Sequence, residues 1–132
     1  MLIAVAAAGA AAQPIVPESF EESLRLYIVE TDEESVTAVY DDPGDHGLLF
    51  AERTAAHGCE AVACGRFRTA PAFDVLADAC ITRYYAAGLP VLEAALVAER
   101  SQLPLLTDYE GGKGCGRHEG DRCAEDRAKH ES

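Results

Sequence analysis

The side chains best suited to chemistry follow one apolar run of this chain. The run ends in the thiol of Cys64, and Gly65 then separates that thiol from Arg66 and Arg68. A thiolate is a soft metal ligand, and guanidinium groups bind anions through several N–H donors. If the run is a parallel strand, its carboxyl end lies at the edge where open α/β sheets bind ligands. The spacing therefore predicts a site for an anionic, sulfur-rich guest at this point of the chain.

Two interpretations of these residues stay open at the level of sequence. A cysteine in a buried strand is commonly a small hydrophobic residue, and loop arginines are commonly solvated. In the functional interpretation, nearby guanidinium groups favour the thiolate form of Cys64, which is the form that binds metal. That interpretation predicts a Cys64 thiol that reaches the sheet edge beside Arg66 and Arg68, whereas the alternative predicts a thiol buried in the core.

A histidine in the loop 43–47 is a further candidate ligand. His46 lies just before a predicted helix start, where the positive end of the helix dipole disfavours imidazolium and leaves a neutral ring able to coordinate. The alternative is an exposed loop histidine. His57, in contrast, stands directly before Gly58 in the pattern that ends a helix, and we assign it no ligand role.

The C-terminal end contains a second group of potential ligands. Cys115, His118, Cys123 and His130 have the spacing C-x2-H-x4-C-x6-H, and both residue types bind zinc and soft transition metals. The spacing differs from that of a standard zinc finger. A structural zinc contributes on the order of 10–16 kcal/mol in small peptides, which is enough to order such a segment. The alternatives are a disordered tail with incidental thiols, or a disulfide between the two cysteines.

Hydrophobic periodicity predicts the elements that would position these groups. Leu2 to Ala7 is a continuous apolar run, typical of a strand buried on both faces. Two alternating segments on either side of the polar turn 31–35 predict an antiparallel hairpin. Helical and strand patterns then alternate, which predicts right-handed crossovers and a largely parallel sheet with an antiparallel portion. The predicted order is strand, hairpin, helix, strand, helix, strand, helix.

The same patterns give approximate boundaries. Strands are predicted at 2–7, 24–29, 36–40, 59–64 and 81–86, with helices that start near Asp45, Ala70 and Pro90. Cys80 continues the apolar face of the second helix and is expected in the core, and Cys59 is expected to be structural. Beyond residue 107 the periodicity ends, so we divide the chain into an α/β domain at 1–107 and a Gly-, Cys- and His-containing flexible tail at 108–132.

Composition excludes several classes of partner. The chain has 132 residues, 48% of them hydrophobic, and a formal net charge of -12. A single domain of this size can bury a core, and its charge argues against nucleic acid and anionic membranes as partners. We find no apolar stretch of about 20 residues and no positively charged region typical of a signal peptide. Five cysteines do not suggest a complete disulfide framework, so we expect reduced thiols and a cytoplasmic location.

Several strings resemble the dinitrogenase iron–molybdenum cofactor biosynthesis family, the NifX-like carriers. The matching strings are Leu2-Ile3-Ala4-Val5-Ala6, Ser19-Phe20-Glu21 before Leu26-Tyr27-Ile28-Val29, Ala55 to Val62, Gly65 to Leu76, and Gly88 to Leu96. The resemblance covers residues 1–107. One departure is clear: the family commonly shows His-Phe-Gly before its second strand, whereas Glu18-Ser19-Phe20-Glu21 supplies neither the histidine nor the glycine.

This resemblance implies a fold and a function. The implied fold is a ribonuclease-H-like α/β fold, with helices packed on a mixed five-stranded sheet. The implied function is to carry an iron–sulfur or molybdenum–iron–sulfur cluster, or its precursor, between donor and acceptor proteins without chemistry of its own. On this hypothesis Cys64, Gly65, Arg66, Arg68 and His46 bind the cofactor.

Other function classes are weighed against this carrier hypothesis. A two-metal nuclease needs carboxylates on its first strand, and Leu2 to Ala7 contains none. We find no nucleophile elbow, phosphate-binding glycine loop or dinucleotide fingerprint, so we expect no enzymatic activity. The remaining alternative is a regulatory or protein-interaction module with a zinc-binding C-terminal tail.

Overall fold

The computed structural model describes residues 1–8 and 14–110 of the chain. Its strands and helices, in chain order, are β1 (Leu2–Ala7), β2 (Arg25–Glu30), β3 (Ser35–Asp41), α1 (Leu48–Ala56), β4 (Ala61–Cys64), α2 (Ala70–Asp78), β5 (Thr82–Tyr85) and α3 (Val91–Glu99). A short 3-10 turn, Phe20–Glu22, precedes β2. The predicted number, type and order of the long elements are confirmed.

The five strands form one mixed sheet in the order β3-β2-β1-β4-β5. The pairs β1–β2 and β2–β3 are antiparallel, and the pairs β1–β4 and β4–β5 are parallel. The last residues of β1, β4 and β5, which are Ala7, Cys64 and Tyr85, therefore lie at the same end of the sheet. We call this end the carboxyl edge. Since α1 leads into β4, and α2 and α3 follow β4 and β5, all three helices begin there.

Strand β1 forms the centre of the molecule because both of its faces are covered. Ile3 to Ala7 are at most 1% exposed. Ile3, Val5 and Ala7 belong to the cluster on the side of α3, whereas Ala4 and Ala6 belong to the cluster on the side of α1 and α2. The prediction of a strand buried on both faces is thus confirmed.

The expectation that Cys80 continues the core face of α2 is wrong. The helix ends at Asp78, and Cys80 has a φ of +58° and is partly exposed. Its N–H donates to the carbonyl of Ala77, and the N–H of Ile81 donates to the carbonyl of Leu76, both at 3.0 Å. These two bonds form a Schellman motif, which takes one residue in the left-handed conformation after the helix. Cys80 occupies that position, where glycine is more usual.

The chain after α3 forms backbone hydrogen bonds with the outer edge of β5. The N–H of Tyr85 donates to the carbonyl of Pro104, and the N–H of Leu106 donates to the carbonyl of Arg83, both at 2.8 Å. Residues 104–106 thereby cover the outer edge of β5. Residues 111–132, most of the segment predicted as a tail, lie outside the described residues. Within the described part, none of the helices has the length and apolar character needed to cross a membrane.

Gly65 permits the closest backbone approach among the glycines described. A Cβ at this position would lie 2.3 Å from the carbonyl oxygen of Pro17 and 2.5 Å from the carbonyl carbon of Glu18. We expect Gly65→Ala to lower the free energy of unfolding by about 1–3 kcal/mol, because two backbone segments must separate. Urea unfolding measures this. Ala87→Ser, at a partly exposed loop position, is the control. It should lower the free energy of unfolding by less than about 0.5 kcal/mol. Equal stability of the wild type and Gly65→Ala would contradict the close approach.

Candidate functional site

The loop that follows β4 lies against the segment that precedes β2. The N–H of Arg66 donates to the carbonyl of Glu18, and the N–H of Phe20 donates to the carbonyl of Arg66, both at 2.8 Å. Ser19 and Arg66 form an isolated parallel bridge. These bonds extend the sheet pattern beyond the carboxyl edge and fix the backbone that presents the two arginines.

Phe67 anchors this loop between the arginines. Its ring stacks on Phe20 at a centroid distance of 4.7 Å and meets the edge of Phe73 at 5.4 Å. Phe67 is 1% exposed, whereas Arg66 and Arg68 are both exposed. Because side chains alternate along extended backbone, burial of the phenylalanine directs both guanidinium groups outward. The predicted pair of arginines at the sheet edge is therefore brought to the surface.

Arg66 stacks on an aromatic ring from the neighbouring strand. Its guanidinium carbon lies 4.6 Å from the ring centroid of Tyr85. The Tyr85 hydroxyl donates to Glu18 Oε2 at 2.6 Å, and this hydrogen bond to a carboxylate raises the pKa of the tyrosine. A stacked guanidinium is bound through its face, so the donors in its plane remain able to reach an anion.

Arg68 lies at the start of α2, next to a carboxylate that binds the backbone. Glu21 accepts hydrogen bonds from the N–H of Arg68 at 3.0 Å, the N–H of Thr69 at 3.2 Å and the hydroxyl of Thr69 at 3.1 Å. A carboxylate in this place satisfies N–H groups near a helix start and interacts favourably with the helix dipole. The guanidinium of Arg68 lies 4.0 Å from Glu22, and both side chains are more than half exposed. Such a pair holds the guanidinium only weakly.

An open groove of about 290 Å³ lies beside Arg66. Its lining residues are Arg66, Phe67, Leu105, Leu106, Thr107, Asp108, Tyr109 and Glu110. The N–H of Glu110 donates to the carbonyl of Phe67 at 2.7 Å, and the ring of Tyr109 meets that of Phe73 at 5.6 Å. The groove combines apolar walls with one guanidinium and two carboxylates at its rim.

Cys64 does not join the arginines at the surface. Its side chain is 0% exposed and belongs to the core cluster on the side of α1 and α2. Burial raises the pKa of the Cys64 thiol, and the largest opposing charge is Arg83, not Arg66 or Arg68. The expectation that Arg66 and Arg68 favour its thiolate is therefore wrong, since burial removes the hydration that a thiolate needs. Gly65 is buried as well.

His46 is exposed in the loop before α1, with a φ of +59°. The next residue, Gly47, is the N-cap of α1 and lies so close to Phe20 that a Cβ there would be 2.5 Å from a ring carbon. This contact connects the histidine loop to the segment that holds Arg66. Asp45 Oδ2 accepts the N–H of Leu49 at 2.9 Å, so the predicted aspartate caps the helix from two positions before its N-cap.

No group of three or more His, Cys, Asp or Glu side chains within residues 1–8 and 14–110 has the arrangement of a metal site. Cys115, His118, Cys123 and His130 lie outside the described residues.

At the end of the sheet opposite the carboxyl edge, a separate cleft of about 340 Å³ is lined by Cys59, Glu60, Cys80 and Thr82. Cys59 is free and Cys80 is disulfide-bonded, which differs from the expectation of reduced thiols.

Sequence reasoning missed the polar residues that organise the site. Glu18, Glu21 and Tyr85 interact with residues 47 to 67 positions away in the chain. No local spacing signals such contacts.

The bonds of Glu21 generate a stability prediction. We expect Glu21→Ala to lower the free energy of unfolding by about 1 kcal/mol, because two N–H groups and one hydroxyl lose their acceptor. Glu22→Ala is the matched control, and it should cost less than about 0.5 kcal/mol because its pair with Arg68 is exposed. Urea unfolding of both variants measures the difference. Equal effects would show that the Glu21 contacts do not hold the loop.

The buried thiols predict a loss of stability at high pH. Burial raises the pKa of Cys59 from its ordinary 9.0 to about 11. Between these pH values the unfolded chain releases a proton that the folded chain keeps, so stability is intact below pH 9 and falls as pH rises toward 11. Urea unfolding at pH 7 to 11 should show a shallower decline for Cys59→Ala than for the wild type. Parallel declines would contradict the raised pKa.

Comparisons with known proteins identify a family and solved structures of similar fold. The chain matches the family described as dinitrogenase iron-molybdenum cofactor over residues 1–100. The apo orange protein from Desulfovibrio gigas has a similar structure, with a TM-score of 0.64 and 22% identity over 84% of this chain and 93% of that chain. A candidate NifB protein from Thermotoga has a TM-score of 0.64 and 23% identity over 83% and 98%.

A third structure, a candidate dinitrogenase from Methanocaldococcus jannaschii, has a TM-score of 0.54 and 17% identity over 80% of this chain and 95% of that chain. No curated protein matches the chain. At these identities the structures support a shared fold, whereas the family match covers most of the sequence. The chain belongs to the dinitrogenase iron-molybdenum cofactor family.

Proposed function

We propose that this protein carries an anionic metal–sulfur cofactor, or a precursor of one, and holds it without covalent bonds at the carboxyl edge. The observation that carries this proposal is the outward display of Arg66 and Arg68 on either side of the buried Phe67, in a chain of the iron-molybdenum cofactor family. The cofactor is cargo that the protein receives and releases. The described fold supports extending the assignment to the ribonuclease-H-like class.

The two guanidinium groups supply the attraction for the cargo. Arg66 stands at the rim of the groove, where its stacking on Tyr85 fixes its plane. Within the described residues, the guanidinium of Arg68 has an exposed ion pair with Glu22 at 4.0 Å, which a multiply charged sulfido anion can displace. Arginine suits such anions because it offers several N–H donors from one rigid plane. The proposal does not use Cys64, whose thiol is buried.

The carboxylates around the site reduce its affinity for a negatively charged cargo. Glu18 is bound by the Tyr85 hydroxyl, and Glu21 is bound by the start of α2, so part of their charge is compensated. Asp108 and Glu110 line the groove beside Arg66. We infer that the site holds an anion with moderate affinity, as a carrier that must release its cargo requires. His46, in the exposed loop that leads into α1 at this edge, is proposed as a supplementary ligand.

Proposed partners and location follow from this role. A donor protein must supply the cluster and an acceptor protein must take it, and the chain is proposed to act between them in the cytoplasm without catalysing a reaction.

An anaerobic loading experiment tests the proposal. The full chain is incubated with tetrathiomolybdate in one arm and with a reconstituted iron–sulfur cluster in another, desalted, and assayed for visible absorption and bound metal. We expect retention by the wild type and at least a tenfold loss in the double variant Arg66→Ala/Arg68→Ala. Glu22→Gln should increase retention, because it removes the competing partner of Arg68.

Two matched controls make the result specific. Arg100→Ala changes an exposed arginine after α3, at the opposite end of the sheet, and should retain the cargo like the wild type. Cys64→Ala should also retain it. Failure of the wild type to hold either cargo, or equal loss in Arg100→Ala and the double variant, would refute the proposed site.

A further inference from the structure

The two outer edges of the sheet differ in how they are covered. Residues 104–106 bond to the outer edge of β5 through Tyr85 and Arg83. Strand β3 is the other outer strand, and within the described residues nothing pairs with its outer side. An uncovered strand edge offers a row of backbone donors and acceptors to another extended chain. The difference therefore marks the β3 edge as a place where a further strand can add.

A β-bulge gives this edge an apolar face. Ala38 pairs with Ile28 and Val36 pairs with Val29, so Thr37 is the extra residue, and its hydroxyl donates to the carbonyl of Ile28 at 3.2 Å. The extra residue puts Val36 and Val39 on the same face, opposite Val29 and Tyr27 respectively. A regular strand would place side chains three positions apart on opposite faces.

This face is open because α3 does not reach it. Helix α3 packs mainly against β1 and β4. Val36 is 45% exposed and Val39 is 46% exposed. An edge strand is usually protected by charged side chains along its length, yet residues 35–40 contain none. The strand thus combines free backbone groups with two exposed valines.

Charge at the two ends of β3 defines the kind of partner. The stretch 30–45 contains seven Asp and Glu residues and no Lys or Arg. Glu33 and Glu34 lie in the turn before the strand, and Asp41 and Asp42 lie at its end. Antiparallel pairing of two copies through β3 would place the acidic start of one strand beside the acidic end of the other, which opposes self-association.

We propose that the β3 edge is a docking site for an extended segment of a partner protein, with apolar residues that cover Val36 and Val39 and with lysine or arginine at both ends. Strand addition supplies backbone hydrogen bonds, and alternate side chains supply specificity. The flanking carboxylates select a basic partner and fix its register. This edge is separate from the arginines of the cargo site, so its test is independent of the proposed cargo.

A set of synthetic peptides tests the proposal on the full chain. The probe has the core Val-Thr-Val-Thr-Val with two lysines at each end. We expect it to bind and to slow hydrogen exchange of β3 amides at least tenfold, with no change in β5. The same core with glutamates at both ends should bind at least tenfold more weakly. A lysine-flanked peptide with prolines in place of the threonines should fail to bind, because proline cannot supply the backbone donors of a ladder.

Two surface variants separate this site from general attraction to an acidic protein. Val39→Lys should weaken binding of the probe at least tenfold, whereas Leu105→Lys, an exposed position at the opposite edge, should leave it unchanged. Equal binding of the proline peptide would overturn the proposal. Outward-facing β3 amides that exchange as slowly as β2 amides in the free protein would also overturn the proposal. Formation of a dimer through β3 would overturn it as well.

Discussion

The contact of Gly65 with the backbone of Pro17 and Glu18 is the constraint on which the carboxyl edge depends. Only a residue without a side chain lets these segments approach to this distance. The approach allows the hydrogen bonds between Arg66 and Glu18 and between Phe20 and Arg66. Those bonds fix an extended backbone in which one phenylalanine points inward and two arginines point outward. The exposure of Arg66 and Arg68 at this edge therefore depends on the absence of a Cβ atom at Gly65.

The same contact explains why the thiol and the guanidinium groups separate. Cys64 is the last residue of β4, and the segment 17–20 continues over the loop that follows it. The end of the strand is thus covered by chain, not by solvent, and the thiol faces the core. A sequence pattern shows where a strand ends, but it does not show whether another segment lies over that end. Sequence analysis could identify the arginines as surface groups and could not establish the burial of Cys64.

The elements of the fold were predictable to the extent that their signals are local. The apolar run of β1 and the glycine after α1 are local signals, and both predictions are confirmed. All three helices end in the same hydrogen-bond motif, with Gly58, Cys80 and Ser101 as the left-handed residues. Only the first of these is a glycine, so no local signal indicated that Cys80 lies outside the core face of α2. The bulge at Thr37 was not predictable from the sequence either, because it is defined by the register between β2 and β3.

The polar contacts of the site were beyond sequence reasoning because they join distant parts of the chain. Glu21 and Thr69 are 48 residues apart, and Glu18 and Tyr85 are 67 residues apart. Each carboxylate accepts hydrogen bonds from its neighbours. Glu21 binds N–H groups at the start of α2, and Glu18 binds the Tyr85 hydroxyl.

In the proposed carrier, Glu18 and Glu21 weaken the attraction of the site for an anion. They leave the guanidinium groups as the main attraction. Charge–charge attraction at an exposed site is screened by salt and by water, so it provides reversible binding. Reversibility is what distinguishes transfer of a cluster from its permanent incorporation. A thiolate ligand at the carboxyl edge would bind the cargo more tightly, so the burial of Cys64 in the core is consistent with the reversible binding that we propose.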